Sequence, residues 1–376
     1  MKEYNILNNG YKIPNKGFGT YKMKGTECIN AVIEAVKKGY RHIDTAQAYE
    51  NEEDIGIAIS KLIEENIIKR EDLFITSKIN PHNPIGYKEA IQAINDSIEK
   101  MKIGYIDCYL IHWPNLTPDD KWKRLNAETW RGFEKMYELG KVKVLGVSNF
   151  MIHHMEELFK TATIKPAINQ LNLNPTWQQK EVVAFCKKNN IQCVAWESLV
   201  KIEKWNQLLM NSLANKYNRS TAQISLKWSM QKGFIPLAKS RNKHRIAENY
   251  NIDDFKLSND DISKLDTLNN HPANWDASPD TVAHTWMLYE ELSKTPSVLI
   301  KEEVKLLGII PIIKTQYNNN TSKHYLFGIF PFFKKKIKTN KAKYYFLGIH
   351  VASSNLEYIP SRKTIQMVHK YTDEVN

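Results

Sequence analysis

Eight short runs of β-branched and apolar residues, separated by longer amphipathic stretches, fill residues 1–270. They are Gly17–Tyr21, Arg41–Thr45, Leu73–Ser77, Tyr105–Ile111, Val142–Val147, Ala167–Leu171, Gln192–Trp196 and Phe234–Ala238. Between them, Cys28–Lys38 carries apolar residues at i, i+3, i+4 and i+7, and Tyr87–Met101 and Glu128–Leu139 repeat that spacing. Strands that alternate with helices imply a parallel sheet. Eight such units predict an α/β fold, the (β/α)8 barrel. A doubly wound open sheet usually carries a glycine-rich phosphate turn, and the chain contains no GxGxxG.

Ahead of the first barrel strand, YNILNNGYKIP reads as a β-hairpin, because Asn9-Gly10 is a turn signal between two apolar runs. Such a hairpin is expected to plug the N-terminal mouth and leave the opposite face open. The four cysteines, Cys28, Cys108, Cys186 and Cys193, show neither a disulfide pattern nor a CxxC pair. That predicts a reducing, cytoplasmic setting. The N-terminus lacks the apolar core of a signal peptide, and no apolar run nears the ~20 residues that span a bilayer. No metal site is expected; His153-His154 are adjacent rather than four apart and read as a solvated helix face.

The formal charge of +12 is uneven. Residues 301–376 hold thirteen Lys or Arg against five Asp or Glu. The same region repeats itself: KLLGIIPIIK, YLFGIFPFFKKK and YYFLGIHVA centre on Gly308, Gly328 and Gly348. Aromatic and β-branched residues around glycine predict short extended units rather than helices. The expected division is therefore a barrel over 1–294 and a small C-terminal β-repeat extension over 295–376. A basic, apolar-faced tail suits a membrane surface, an acidic glycan or a protein partner. It allows peripheral association at the inner face of a membrane. Nucleic acid is not expected, since no recognition motif is present.

Three of the runs end in a polar side chain able to do chemistry. Asp44 closes one and Tyr49 follows five residues later; Lys78 closes another and His112 a third. Side chains at the C-terminal ends of barrel strands converge on one face. An acid, a phenol, an amine and an imidazole in one pocket suit proton transfer to a carbonyl oxygen. Tyr49 is the expected donor. Lys78 favours its phenolate and so strengthens the acid. Asp44 holds Lys78 ionised, and His112 offers a second hydrogen bond to the oxygen. Each residue alone has an ordinary structural reading, as a turn cap, a packed ring or a core histidine. The joint arrangement at strand ends carries the functional one. Tyr21 and Trp113, beside these ends, are expected walls of an apolar substrate pocket.

HIDTAQAYENEEDIG and YLIHWP resemble the signature segments of the aldo-keto reductase family, and the likeness runs from about residue 4 to about residue 285. The resemblance implies a barrel that binds NADPH without a Rossmann domain and reduces a small aldehyde or ketone, sugars and sugar derivatives among the candidates. It puts the family's tetrad on Asp44, Tyr49, Lys78 and His112. It puts the carboxamide contacts on Ser148, Asn149 and Gln170, and the ring stacked on nicotinamide on Trp196. Ser148-Asn149 has a second reading, as an ordinary helix N-cap. The resemblance assigns the 2′-phosphate to Lys239, Ser240 and Arg245, and the adenine to Glu248 and Asn249. Lys239 and Ser240 read as the start of a helix, where amides and cations attract anions. Two departures stand out. Ala238 replaces the usual proline before the lysine. Glu197-Ser198-Leu199-Val200 replaces a small–Pro–Leu–Gly segment, so Ser198 and Leu199 meet the pyrophosphate beside a glutamate that would repel it unless it turns away or pairs with Lys201. The competing reading is a barrel that holds the nucleotide without turnover; the intact tetrad argues against it. The tail resembles aromatic–Gly–Ile–Pro–Lys repeats appended to some bacterial enzymes of surface-polysaccharide synthesis.

Overall fold

Alternation of inward and outward residues along eight parallel strands organises the fold. The computed structural model describes residues 3–81, 86–114 and 121–269, together with the backbone of short strands between 305 and 355. A hairpin comes first: β1 (Tyr4–Ile6) pairs antiparallel with β2 (Lys12–Pro14), Tyr4 opposite Pro14 and Ile6 opposite Lys12. Gly10, at φ +82°, takes the left-handed turn position that a Cβ would strain.

The barrel follows as β3 (Gly17–Gly19), α1 (Gly25–Lys37), β4 (His42–Asp44), α2 (Glu52–Glu64), β5 (Phe74–Ile79), α3 (Tyr87–Met101), β6 (Ile106–Ile111) and α4 (Lys121–Glu138). It continues as β7 (Val142–Ser148), α5 (Ile152–Phe159), β8 (Ile168–Asn172), α6 (Lys180–Lys188), β9 (Gln192–Trp196), α7 (Lys204–Tyr217), α8 (Thr221–Gln231) and β10 (Ile235–Ala238). Helices α9 (Lys243–Tyr250) and α10 (Asn259–Asp266) come after. The sheet closes in the order β10-β3-β4-β5-β6-β7-β8-β9, all parallel. Each of the eight expected runs is a barrel strand, within one or two residues at its ends.

Sequence explains the packing. β6 is buried along its whole length, IDCYLI, as a parallel strand covered on both faces must be. On α3 the buried residues are Ala90, Ala93, Ile94, Ser97 and Met101, one stripe at helical spacing. Inside the barrel, Phe74, Cys108, Leu110, Val144, Ile168, Val194, Ile235 and Leu237 form one apolar cluster, with Leu7 and Ile13 of the hairpin packed into it. The intervening strand residues, Ile43, Ile75, Tyr109, Leu145 and Ala195, join the helices in the outer core. Full burial of one such aliphatic side chain contributes roughly 1.5–3 kcal/mol.

The hairpin caps the end where the strands begin, as expected. Asn8 Nδ2 donates to Pro166 O at 2.9 Å and Asn9 Nδ2 to Lys143 O at 3.1 Å. Tyr11 OH donates to Asp107 at 3.3 Å, and Arg70 pairs with the same carboxylate at 2.7 Å. The strands finish at the opposite end.

The second unit shows β11 (Lys305–Leu306), β12 (Ile310–Pro311), β13 (Ile313–Asn318), β14 (Thr321–Leu326), β15 (Phe330–Pro331), β16 (Lys334–Lys338), β17 (Lys341–Phe346) and β18 (Ile349–Asn355). They form small antiparallel sheets, as the extended repeats imply. Chain contacts divide the units between Asp280 and Thr281; that division and the expected one at 294 both lie outside the described residues. Among the described residues, no helix is long and apolar enough to cross a membrane. The four cysteines are buried thiols.

One inward residue makes the barrel sensitive to acid. His42 is 1% exposed, and its Nε2 lies 2.9 Å from Thr76 Oγ1. It is crowded as well: a Cβ on Gly17 would sit 2.7 Å from its Nδ1. Burial, and then the positive charge of Lys78, bring its pKa down to about 3. A base lowered in the folded state contributes stability above its unfolded pKa, ~6.5, and that stability drains away as pH falls towards the folded value. Over that window the barrel should lose about 1.4 kcal/mol per pH unit through this one group. Urea unfolding at neutral and mildly acid pH should show a shallower dependence in His42→Asn. Equal slopes would mean that the folded barrel already carries a charged imidazole.

Candidate active site

The inward parity of each strand, continued to its C-terminal end, delivers the polar residues to the mouth opposite the hairpin. His42 and Asp44 share the inner face of β4; Phe74, Thr76 and Lys78 share that of β5. Beyond Cys108 and Leu110, the same alternation reaches His112, one residue past β6. Ser148 ends β7, Gln170 lies on β8 and Trp196 ends β9.

Lys78 is the centre of the cluster and is 0% exposed. Its ammonium donates to Asp44 Oδ1 at 2.7 Å, to Thr45 O at 2.7 Å and to Tyr49 OH at 3.4 Å. Those contacts use its three protons. Burial works against its charge, but the Asp44 carboxylate, Tyr49 and their hydrogen bonds outweigh it, so its pKa stands above the ordinary lysine value. Tyr49 shows the reverse balance. Burial pushes its phenol up, Lys78 pulls it down and Asp44 pushes it up again, with a net rise. The expected acidifying effect of Lys78 is present, yet burial exceeds it. The phenol is therefore a neutral, protonated donor beside an ammonium at physiological pH. The His112 ring meets the Tyr49 ring edge-on with centroids 5.7 Å apart, and the Tyr21 ring lies 5.0 Å away on a tilt. All four expected catalytic residues thus come together with Tyr21. Trp113 is half-buried next to His112.

Tyr49 sits on a one-turn 3-10 helix, Gln47–Tyr49, held from below. Asn51, buried, donates to Thr20 O at 3.0 Å and Met23 O at 2.9 Å, and accepts from Thr45 Oγ1 at 2.6 Å. Gln47 bridges Ala93 O at 2.9 Å and the amide of Asn80 at 3.0 Å. Sequence reasoning gave neither residue a role, although both lie inside HIDTAQAYENEEDIG.

A second network lies across the mouth. Gln170 Nε2 donates to Asp44 Oδ2 at 2.7 Å, and Ser148 Oγ donates to Gln170 O at 2.9 Å. Asn149, at φ +61°, donates to His112 O at 3.0 Å and accepts from Trp196 Nε1 at 3.0 Å. Three expected carboxamide residues and the indole are thus tied to each other and to the tetrad.

Several local expectations are corrected. Ser148-Asn149 does not cap α5; the cap is Met151, whose amide donates to His154 Nδ1 at 3.1 Å. His154 is consequently buried rather than solvated. α9 starts at Lys243 under an Asn242 cap, so Lys239 and Ser240 precede the helix by a short turn in which Ser240 Oγ accepts from the Asn242 amide at 3.1 Å. Arg245 is exposed on its first turn; Glu248 is half-buried and Asn249 buried further along. Ser198 Oγ bridges Ala195 O at 2.7 Å and the Leu237 amide at 3.1 Å, so beside Leu199 it offers a ligand its backbone only. Glu197 pairs with Lys201 at 2.8 Å and accepts from Asn172 at 2.9 Å, which answers its charge.

Lys239 is depressed below the ordinary lysine pKa, first by burial and then by Arg241 and Lys22. Neighbouring cations that disfavour one another fit an anion between them. Arg241 also donates to Lys22 O at 2.6 Å and pairs with Glu27 at 2.9 Å, which joins the turn after β10 to the turn after β3. Among the described residues, no group of three or more His, Cys, Asp or Glu is placed to hold a metal.

Comparison with known proteins agrees with this geometry. The aldo/keto reductase family model matches residues 16–270. A glyoxal reductase of Bacillus subtilis is 43% identical over 270 residues, covering 72% of this chain and 94% of the relative. Methylglyoxal reductase DkgA of Escherichia coli is 35% identical over 264 residues, 70% of this chain and 92% of the relative. Among solved structures, the Bombyx mori aldo-keto reductase AKR2E4 in complex with NADP superposes with a TM-score of 0.66 at 32% identity, covering 74% of this chain and 97% of that one.

The buried ion pair makes a stability test. Removing one partner of such a pair leaves an uncompensated buried charge and typically costs about 3–5 kcal/mol. Lys78→Met should lower unfolding free energy by that order, and adding Asp44→Asn should recover part of it. A single variant as stable as the wild type would mean that the Lys78–Asp44 pair does not hold the fold together.

Proposed function

The chain belongs to the aldo/keto reductase family, and on that premise we propose that it reduces a small aldehyde or ketone to the alcohol with NADPH, Tyr49 giving the proton. The observation that carries this reading is the Lys78 ammonium held between Asp44 and Tyr49 at the C-terminal ends of the strands. When bound, NADPH supplies hydride to the carbonyl carbon. The chain's own residues do the rest. Tyr49 hydrogen-bonds the carbonyl oxygen and transfers its proton there as negative charge develops. Lys78 stabilises the resulting phenolate, and Asp44 keeps Lys78 ionised and fixed. The His112 imidazole gives the oxygen a second contact. Water protonates Tyr49 again, so one carbonyl, one hydride and one proton leave as one alcohol.

Gln170, Asn149 and Ser148 orient the nicotinamide amide, and the Trp196 indole supports the ring. Lys239 and Arg245 hold the 2′-phosphate, with Ser240, Glu248 and Asn249 around the adenosine. The family membership and relatives named for glyoxal, methylglyoxal and aldose reduction support small, polar carbonyls as the substrate class. Tyr21 and Trp113 form its walls. We place the enzyme in a reducing, cytoplasmic setting, in keeping with its four buried thiols. Residues 295–376 serve as a separate element, dispensable for chemistry, that recruits the enzyme to an anionic surface; the Pro272–Trp286 segment before it, expected to help select substrate, lies outside the described residues.

Two measurements test this reading. Tyr49→Phe should lower kcat by about 100-fold or more while leaving NADPH affinity intact; near-normal turnover would remove Tyr49 from the donor role. Arg245→Ala should weaken NADPH by roughly tenfold, the worth of one charge-assisted bond to phosphate, with little change for NADH. An equal loss for both cofactors would indicate a damaged fold rather than a lost phosphate contact.

A further inference from the structure

The second unit builds one plan twice. In the first sheet, β13 pairs with β14 through Lys314 opposite Tyr325, Gln316 opposite Lys323 and Asn318 opposite Thr321. Twenty residues on, β16 pairs with β17 in the same way, through Lys334 opposite Tyr345, Lys336 opposite Lys343 and Lys338 opposite Lys341. Alternate residues of a strand belong to one face, and direct cross-strand partners share it. One face of the second sheet therefore carries Lys334, Lys336, Lys338, Lys341 and Lys343. β18 adds Asn355 and Ser353 to that face, opposite Lys341 and Lys343. The other alternate set, Lys335, Ile337, Ala342 and Tyr344, has a single lysine.

Two of these register pairs oppose lysine to lysine, and like charges directly opposite each other destabilise a hairpin. The first sheet shows that the hairpin plan does not need them, because Gln316–Lys323 and Asn318–Thr321 occupy the equivalent places. A local cost without a folding reason marks a functional feature. We propose that this five-lysine face docks on an anionic phospholipid bilayer, an inference that rests on the recruitment reading above and gives it a surface. Its lysine positions repeat along the backbone at about 5 Å across the strands and about 7 Å along them, a spacing suited to a plane of negative headgroups. An ammonium meets such oxygens as a point charge, without the fixed fork of a guanidinium. The face carries no arginine and only one pair of rings, Tyr345 with His350 opposite it, whereas nucleic-acid surfaces rely on Arg contacts and rows of stacking rings. Clusters of four to eight basic residues are a recurring signature of binding to anionic lipid.

Flotation of the full chain with vesicles tests it. Phosphatidylserine-containing vesicles should retain the protein at low salt and release it at high salt, and pure phosphatidylcholine vesicles should not bind it. The triple variant Lys336→Gln, Lys338→Asn, Lys341→Thr copies the first sheet's residues into the second. It should weaken vesicle binding on the order of 100-fold, a factor of about five for each lysine. Removing as many exposed charges from the barrel, by Lys61→Gln, Lys88→Gln and Lys204→Gln, should change binding less than about twofold. Equal losses in both triple variants would reduce the effect to net charge and overturn the proposal. Undiminished binding of the face variant would remove the face and leave recruitment standing. Retention on RNA or an acidic polysaccharide but not on vesicles would overturn the choice of partner. Failure to bind any anionic surface would remove recruitment along with it. NADPH-dependent turnover, followed in every sample, reports on the barrel's chemistry alone.

Discussion

The structure turns on one buried ion pair, Lys78 with Asp44, set at the mouth of an otherwise apolar barrel. Desolvating two charges is costly, and attraction alone does not reliably repay it. Here it is repaid by saturation. Lys78 reaches three oxygens, and Asp44 takes Lys78 on one oxygen and Gln170 on the other. The pair therefore links β4, β5, β8 and the Tyr49 turn, so electrostatic satisfaction and geometric order have the same origin. Loss of one member disturbs the phenol's acidity and the wall on which a nicotinamide would rest.

The two-residue period of a strand explains why such a site can exist. Apolar Phe74, Cys108, Leu110 and Ile168 fill the lower barrel, and the same inner faces become polar at the top. A slip of one residue in any strand would send its functional side chain to the helix layer and an apolar one to the mouth. The hairpin closes the other end with Leu7 and Ile13, which places the polar cluster and the plug at opposite ends of the barrel.

Much of this was legible in the sequence, for physical reasons that also mark the limits. The eight strands were readable because buried parallel strands are uninterrupted apolar runs, and the tetrad positions because Asp44, Lys78 and His112 lie at the ends of such runs with Tyr49 five residues beyond one. The supports were not. Asn51 and Gln47 act through backbone oxygens and amides distant in sequence, and no spacing rule reports such contacts. The cap of α5 escaped because an imidazole, His154, replaces the usual hydroxyl or carboxylate. The start of α9 was read too early because Lys239 and Ser240 belong to a short Ser240–Asn242 turn. Glu197 looked repulsive in isolation, and only the fold brings Asn172 and Lys201 to it. In the tail, the glycine repeat was visible, but the gathering of lysines on one face emerged from strand register.

On the proposed mechanism a neutral Tyr49 phenol, not the His112 imidazole, gives the proton. The pH dependence of the single-turnover rate of carbonyl reduction tests it most directly. With its pKa raised above the ordinary phenol value of ~10, Tyr49 should stay protonated and the rate should remain flat from about pH 6 to pH 9. A break between about pH 6 and pH 8 that disappears in His112→Gln would assign the proton to the imidazole and remove Tyr49 as the donor.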